Sequence, residues 1–231
     1  MNVLVACEES QEVCKAFRAR GHNAYSCDLQ ECSGGHPEWH IVEDCLLLLS
    51  GGRQFITMDG TAHEILGRWD LIIAHPPCTY LSSVGASRLF NSDHTIKDNV
   101  REAMGWRSRE FFMKLYNAEC ERIALENPAP LRYFKLPSYS QIIEPYWFGD
   151  PWKKRTCLWL KGLPELYPDR EVDPIGCWTV QSGGSTCRLK LKGPRGATTA
   201  KERSHTFPGI ARAMAAQWCA YILNEDGDNN D

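Results

Sequence analysis

Trp69-Asp70-Leu71-Ile72-Ile73-Ala74-His75-Pro76-Pro77-Cys78 reads as a buried strand that stops at two prolines and presents a thiol at its carboxyl end. Four apolar residues in a row fit a strand covered on both faces. Proline has no amide hydrogen, so the ladder stops there. In open α/β sheets ligands bind just beyond the carboxyl ends of the strands. A second run, Arg122-Ile123-Ala124-Leu125-Glu126-Asn127-Pro128, repeats the layout and ends in a carboxylate, an amide and a proline. A candidate nucleophile and a candidate acid, each at a strand end, make an enzyme-like arrangement.

Working outward, residues 3–6 form a first apolar strand, and Ser10 is placed to cap a following helix. Val13, Ala16 and Phe17 fall at helical spacing, and Gly21 marks the stop. Residues 23–27 are a second strand ending at Asp28. This strand–helix–strand unit predicts a parallel α/β sheet. Residues 51–66 show no clear period, whereas 97–117 read as a long helix with Phe111, Phe112 and Leu115 on its apolar side. Residues 141–143 and 156–160 read as further strands, and 178–192 as an irregular hairpin around Gly183-Gly184. Residues 210–223 are a final helix, amphipathic through Met214, Trp218 and Ile222, and 225–231 are an acidic tail expected to fray.

The 231 residues suffice for one large α/β domain with an appendage, and 43% hydrophobic content suits a folded globule. A net charge of −3 argues against a uniformly basic coat but leaves room for a local basic face. Eleven cysteines are scattered singly, behind an N-terminus without secretory features. They are expected to be free thiols in a reducing cytoplasm, used as small apolar residues. No apolar run approaches the ~18 residues of a membrane span.

Taken together, Pro77-Cys78 and Glu126-Asn127, each after an apolar strand and in this order, resemble the C5-cytosine DNA methyltransferases, and among them the short phage and prophage members. The resemblance implies a Rossmann-like, S-adenosylmethionine-dependent sheet with a small basic target-recognition insertion. It implies Cys78 as the nucleophile that adds to C6 of a flipped cytosine, and Glu126 as the acid at N3. Asn127 would steady the loop carrying that acid. Arg155, or Lys154 in its place, would contact the cytosine and its phosphate, and Ser82 the nucleotide backbone. Thr79 stands where the family has glutamine, and Trp152 replaces another glutamine.

On the cofactor side the resemblance assigns Asp28, with Leu29, to the ribose and Asp44, with Cys45, to the adenine. Ala6, Cys7, Glu8 and Ser10 form the first loop, with His75, Pro76 and Thr206 completing the pocket. The family carries a Phe-x-Gly-x-Gly turn in that loop, and this chain has no glycine there. Residues 1–161 would form the catalytic domain, 162–203 the recognition element and 204–224 a returning helix. After Gly183 the recognition element carries Arg188, Lys190, Lys192, Arg195, Lys201 and Arg203 against one acid, Glu202, which suits phosphate contacts. The expected partner is double-stranded DNA, with RNA left open, no membrane, and a monomer in the cytoplasm, that of a bacterial host if the gene is a phage's. Cys27, Cys32, His36 and His40 have spacings that suit zinc but match no strong signature, so no metal is assigned. Two competing readings remain: an exocyclic-amino methyltransferase, whose Pro-Pro is followed by an aromatic, and a DNA-binding relic.

Overall fold

The structure, a computed structural model, describes residues 1–178, 196–197 and 199–228. Its strands are β1 (Asn2–Ala6), β2 (Asn23–Asp28), β3 (His40–Val42), β4 (Gln54–Ile56), β5 (Ala62–Glu64), β6 (Leu71–Ala74), β7 (Ile123–Asn127), β8 (Gln141–Ile143), β9 (Trp152–Lys153), β10 (Thr156–Lys161) and β11 (Gly176–Cys177). The helices are α1 (Glu12–Arg18), α2 (Ala86–Leu89), α3 (Asn99–Tyr116), α4 (Ala200–Ser204) and α5 (Pro208–Asp228).

Seven strands form one sheet in the order β3-β2-β1-β6-β7-β10-β8. The five from β3 to β7 are parallel, and β10 runs antiparallel to both its neighbours. This is a Rossmann-like sheet whose outer strand pair is interleaved by the reversed β10. The strand order turns back at β1, between β2 and β6, which places a crevice at the carboxyl ends of β1 and β6.

Alternation along the central strands feeds two cores. Leu4, Ile72, Ala74, Ile123 and Leu125 face Phe112 and Leu115 of α3. Val3, Val5, Leu71, Ile73 and Ala124 face Val13 and Phe17 of α1 and Met214 and Trp218 of α5. Both sheet faces are therefore dry, as the uninterrupted apolar runs require. Helix α3 begins where the Asp98 carboxylate accepts from Arg101 N at 2.9 Å.

Gly105 of α3 lies against the buried Phe134 ring, so a Cβ there would stand 2.0 Å from Phe134 Cζ. Gly105→Ala gains about 1 kcal/mol of helix propensity but overpacks the core, and a net loss of about 1–3 kcal/mol is expected. Urea unfolding checks this; an unchanged midpoint contradicts the contact.

Four expectations need revision. Residues 51–66 are not patternless but hold the β4–β5 hairpin, paired Gln54 to Glu64. The cap position of helix α1 is Gln11, in the left-handed region at φ 60°, and Ser10 does not cap it. Helix α5 runs through residues 225–228, where fraying was expected. Cys177 is disulfide-bonded, unlike the nine free thiols among the described residues. The expected hairpin at 178–192 lies outside the described residues beyond Trp178.

Candidate active site

Register builds the site. Ala74 of β6 pairs with Leu125 of β7, so the next residues, His75 and Glu126, emerge side by side at the strand ends. His75 Nδ1 lies 3.1 Å from Glu126 Oε2, with side chains only 9% and 12% exposed. The His75 amide donates to the Ala6 carbonyl at 3.0 Å, extending the β1–β6 pairing into the crevice. The adjacent Asn127 is buried and donates to the Pro76 carbonyl at 2.7 Å. That bond ties the end of β7 to the Pro-Pro turn carrying Cys78. Downstream, Ser82 N donates to the Cys78 carbonyl at 2.9 Å. Arg101 of α3 donates to the Thr79 carbonyl at 2.6 Å. The thiol thus sits in a loop held at both ends.

The electrostatics join four side chains. Burial pushes the Cys78 thiol above its ordinary range, as does the Glu126 charge, while Lys154 and Arg203 oppose both. Burial also pushes Glu126 up, but the His75 hydrogen bond and the Lys154 charge outweigh it and hold the carboxyl below its ordinary range. Burial draws Lys154 down, against the pull of Glu126 and Cys78. Lys154 Nζ donates to the His205 carbonyl at 2.9 Å, which brings the segment before α5 to the site. Arg155 instead neighbours Glu144 and Cys157, and its Nε is buried without a hydrogen-bond partner among the described residues.

Glu144 fixes the backbone of this basic turn by accepting from Lys154 N at 2.8 Å. Burial raises its carboxyl to about 7, against that hydrogen bond and the charges of Lys153 and Arg155. A carboxyl raised on folding binds its proton more tightly in the native state. Its stabilisation is therefore full below the ordinary carboxylate range and is lost as pH climbs to about 7. Glu144→Gln is expected to flatten that part of the decline, read from urea midpoints across about pH 5–8. Parallel wild-type and variant curves contradict it.

The first loop differs most from expectation. Glu8 is 3% exposed and caps α1 from upstream, accepting from Val13 N at 2.6 Å and Cys14 N at 3.1 Å. Burial raises this carboxyl, with the His75 charge and the two amides opposing. Cys7 takes a left-handed φ of 58°, and its Sγ lies 3.9 Å from that of the buried Cys45. That thiol contact and burial push Cys7 far above the range of a reactive cysteine. Gly34, from the β2–β3 connection, packs on the loop, where a Cβ would stand 2.5 Å from Gln11 Cβ and the Ser10 carbonyl. The glycine that permits close approach thus comes from outside the loop.

Asp28 ends β2 and accepts from Gln30 N with one oxygen; Asp44 accepts from Leu46 N with one oxygen. Each carboxylate keeps a second oxygen. Two acids at the carboxyl edge beside the crevice suit ribose hydroxyls and an adenine amino group, so the donor set fits a nucleoside cofactor there. Leu29 beside them is 76% exposed. On the other side Glu8 already occupies the α1 amides. Thr206 is buried at the start of the return into α5. Ser82 is also buried, and its hydroxyl accepts from Val84 N at 3.3 Å.

Arg188, Lys190, Lys192 and Arg195 lie outside the described residues, and Lys201 is described only as backbone in α4. Arg203 is exposed and acts on Cys78. The four residues with zinc-like spacing are occupied separately. Cys27 donates to Glu43 O, Cys32 contacts Met58, His36 pairs with Glu38, and His40 binds Ser26 and Gln30 O. No helix among the described residues is long and apolar enough to cross a membrane. Reading the sequence missed the His75–Glu126 pair and the Glu8 cap; strand register would have exposed the first.

No protein-family model matches the chain, and no curated protein matches it. Among solved structures, one resembling it is the crystal structure of a candidate DNA modification methyltransferase encoded within an E. coli prophage. It is 12% identical, with a TM-score of 0.41, over 76% of this chain and 53% of that one. The chain thus spans about half the length of that protein.

Proposed function

We propose that the chain is a DNA cytosine-5 methyltransferase using S-adenosylmethionine. The observation that carries the reading is the placement of Cys78 and Glu126 at neighbouring strand ends, with Lys154 acting on both. C5 of cytosine is a weak nucleophile until a thiolate adds to C6. Cys78 supplies that thiolate, and Lys154 and Arg203 favour its charge against burial. Glu126 answers the density that develops on N3. Asn127 holds the Pro76 carbonyl, so nucleophile and acid move as one unit. Asp28 and Asp44 would hold the cofactor's ribose and adenine, beside Leu29 and Cys45, with Ala6, Cys7, Ser10, His75, Pro76 and Thr206 around it. When bound, the cofactor supplies an electrophilic methyl group. Loss of the C5 proton and elimination of the thiolate restore the ring.

The target base must leave the stack to reach this crevice. Residues 162–203 are the proposed recognition element, with Lys154 taking the cation position beside the base and Arg155 supporting it from behind. Ser82 would meet the nucleotide backbone.

The test is nucleoside mass spectrometry of DNA and RNA incubated with the protein and S-adenosylmethionine, beside Cys78→Ala. 5-Methylcytosine that vanishes in the variant supports the reading. Methylation at N4 or N6 moves the protein to the amino class, and no methylation on either polymer leaves a binding relic.

A further inference from the structure

We propose that Arg101 is a positioning residue that sets the Cys78 turn for attack on the cytosine ring, an inference whose chemistry rests on the cytosine-5 reading. One guanidinium meets the turn at three places. Nη2 donates to the Thr79 carbonyl at 2.6 Å. Cζ lies 5.1 Å from the centre of the Tyr80 ring, within cation–π range. Nη2 also lies against Gly85, where a Cβ would stand 2.6 Å from it. Thr79 and Tyr80 directly follow the thiol, and Gly85 closes the short 3-10 turn Ser83–Gly85.

The other side of the turn is fixed to the chain beyond Glu126. Leu131 N donates to the Leu81 carbonyl at 2.7 Å, and Ser83 N to the Ala129 carbonyl at 3.0 Å. The Cys78 carbonyl itself accepts from Leu81 N at 3.1 Å and Ser82 N at 2.9 Å. The turn is therefore gripped between the 129–131 segment and the first turn of α3. On that helix Glu102 accepts from the Tyr133 hydroxyl, and Gly105 packs against Phe134. One helix end thus holds both segments that lead away from the reacting groups. Arg101 holds the segment after β6, and Glu102 and Gly105 hold the segment after β7. The main chain of Arg101 is fixed in turn, since its amide donates to the Asp98 cap.

The reaction needs this. The thiolate must approach C6 along the normal to the ring, while Glu126 meets N3 in the ring plane. The two groups come from separate strands, so their relative placement depends on what joins the segments beyond the strand ends. A misplacement of about 1 Å can cost about 100-fold in rate. The charges bearing most on the thiol are those of Glu126, Lys154 and Arg203. Arg101 therefore works through place and not through ionisation of the thiol. A planar guanidinium can donate to a carbonyl while lying on a ring, a combination that a lysine ammonium does not fix.

The experiment is a double-mutant cycle on kcat for 5-methylcytosine formation, with Arg101→Ala, Gly85→Ala and the two combined. Gly85 has φ −82°, which alanine adopts freely. Among the described residues the one atom a Cβ there would crowd is Arg101 Nη2, the far end of a flexible side chain. The methyl group thus displaces the guanidinium and leaves the fold in place. Each single variant is expected to lose about 10- to 100-fold in kcat, with KM for S-adenosylmethionine within about twofold. Arg101→Lys should recover only part of the loss. The combined variant should stay within about threefold of Arg101→Ala, because the methyl then has nothing to displace. Full kcat in Gly85→Ala, or losses that multiply in the combined variant, overturn the inference. Should Arg101→Ala fail to fold, kcat and KM of Gly85→Ala decide it. A second readout needs no methylation: iodoacetamide alkylation of Cys78, followed on its own peptide by mass spectrometry. Freed from Arg101, the turn should expose the half-buried thiol and speed alkylation by about threefold or more in both single variants. Unchanged or slower alkylation overturns the inference. Wild type that makes no 5-methylcytosine overturns the cytosine-5 reading, and the alkylation rates then judge the hold of Arg101 on the turn by themselves.

Discussion

Cys78→Ser is expected to lower methyl transfer by on the order of 10⁴-fold or more, as loss of a covalent nucleophile does elsewhere. The hydroxyl is a far weaker nucleophile than the thiolate at neutral pH. Folding should survive, because the turn is held by backbone groups: the Cys78 carbonyl accepts from Ser82 N, and Asn127 grips Pro76. The direct measurement uses DNA carrying 5-fluorocytosine, which traps the adduct because fluorine cannot leave C5 as a proton does. Wild type should give a denaturation-resistant complex and Cys78→Ser none. A trapped complex in the variant would move the nucleophile elsewhere. Cys157 and Cys219 are poor substitutes, since burial pushes their thiols up to about 12 and about 11.

Glu126→Ala is expected to cost about 10²- to 10⁴-fold in kcat, the range for a lost general acid. Glutamine should recover part of this, because its amide still donates a hydrogen bond to N3 without transferring a proton. The substitution also removes the charge that raises the Cys78 thiol. Alkylation of Cys78 by iodoacetamide should therefore become faster in Glu126→Ala while methylation collapses. Slower alkylation would separate the two residues and contradict the shared site. Opposite movements of the two rates distinguish a chemical role for Glu126 from a general disturbance of the turn.

The strands that carry the site were readable because each is short, apolar and stopped by proline, a pattern that survives without tertiary information. Helix α3 was readable for a similar reason, having Asp98 at its start and Phe112 and Leu115 at core spacing. The β4–β5 hairpin was not, since apolar Ile56 and Ala62 stand at exposed positions and hide the alternation around the buried Phe55. The α1 cap was misread because Cys7 and Gln11 both turn left-handed, and the chain folds Glu8 back onto the helix. Hydrophobic pattern carries no trace of such a turn. Cys78 and Glu126 were visible as strand ends, whereas the partnership of Glu126 with His75 depends on which residues of two separate strands stand abreast.

The interior position of β1 has a consequence for synthesis of the chain. Its neighbour β6 begins at Leu71, and the core on its α1 face is closed by Met214, Trp218 and Ile222 of α5. A nascent chain elongated only to residue 207 would carry every strand of the sheet but leave Val13, Phe17, Val3 and Val5 without the α5 part of their cover. Such non-local closure is slow and prone to aggregation. Translation must therefore pass α5 before the first strand made can become an inner strand of a finished sheet, so early termination should yield insoluble fragments, not a weakened enzyme.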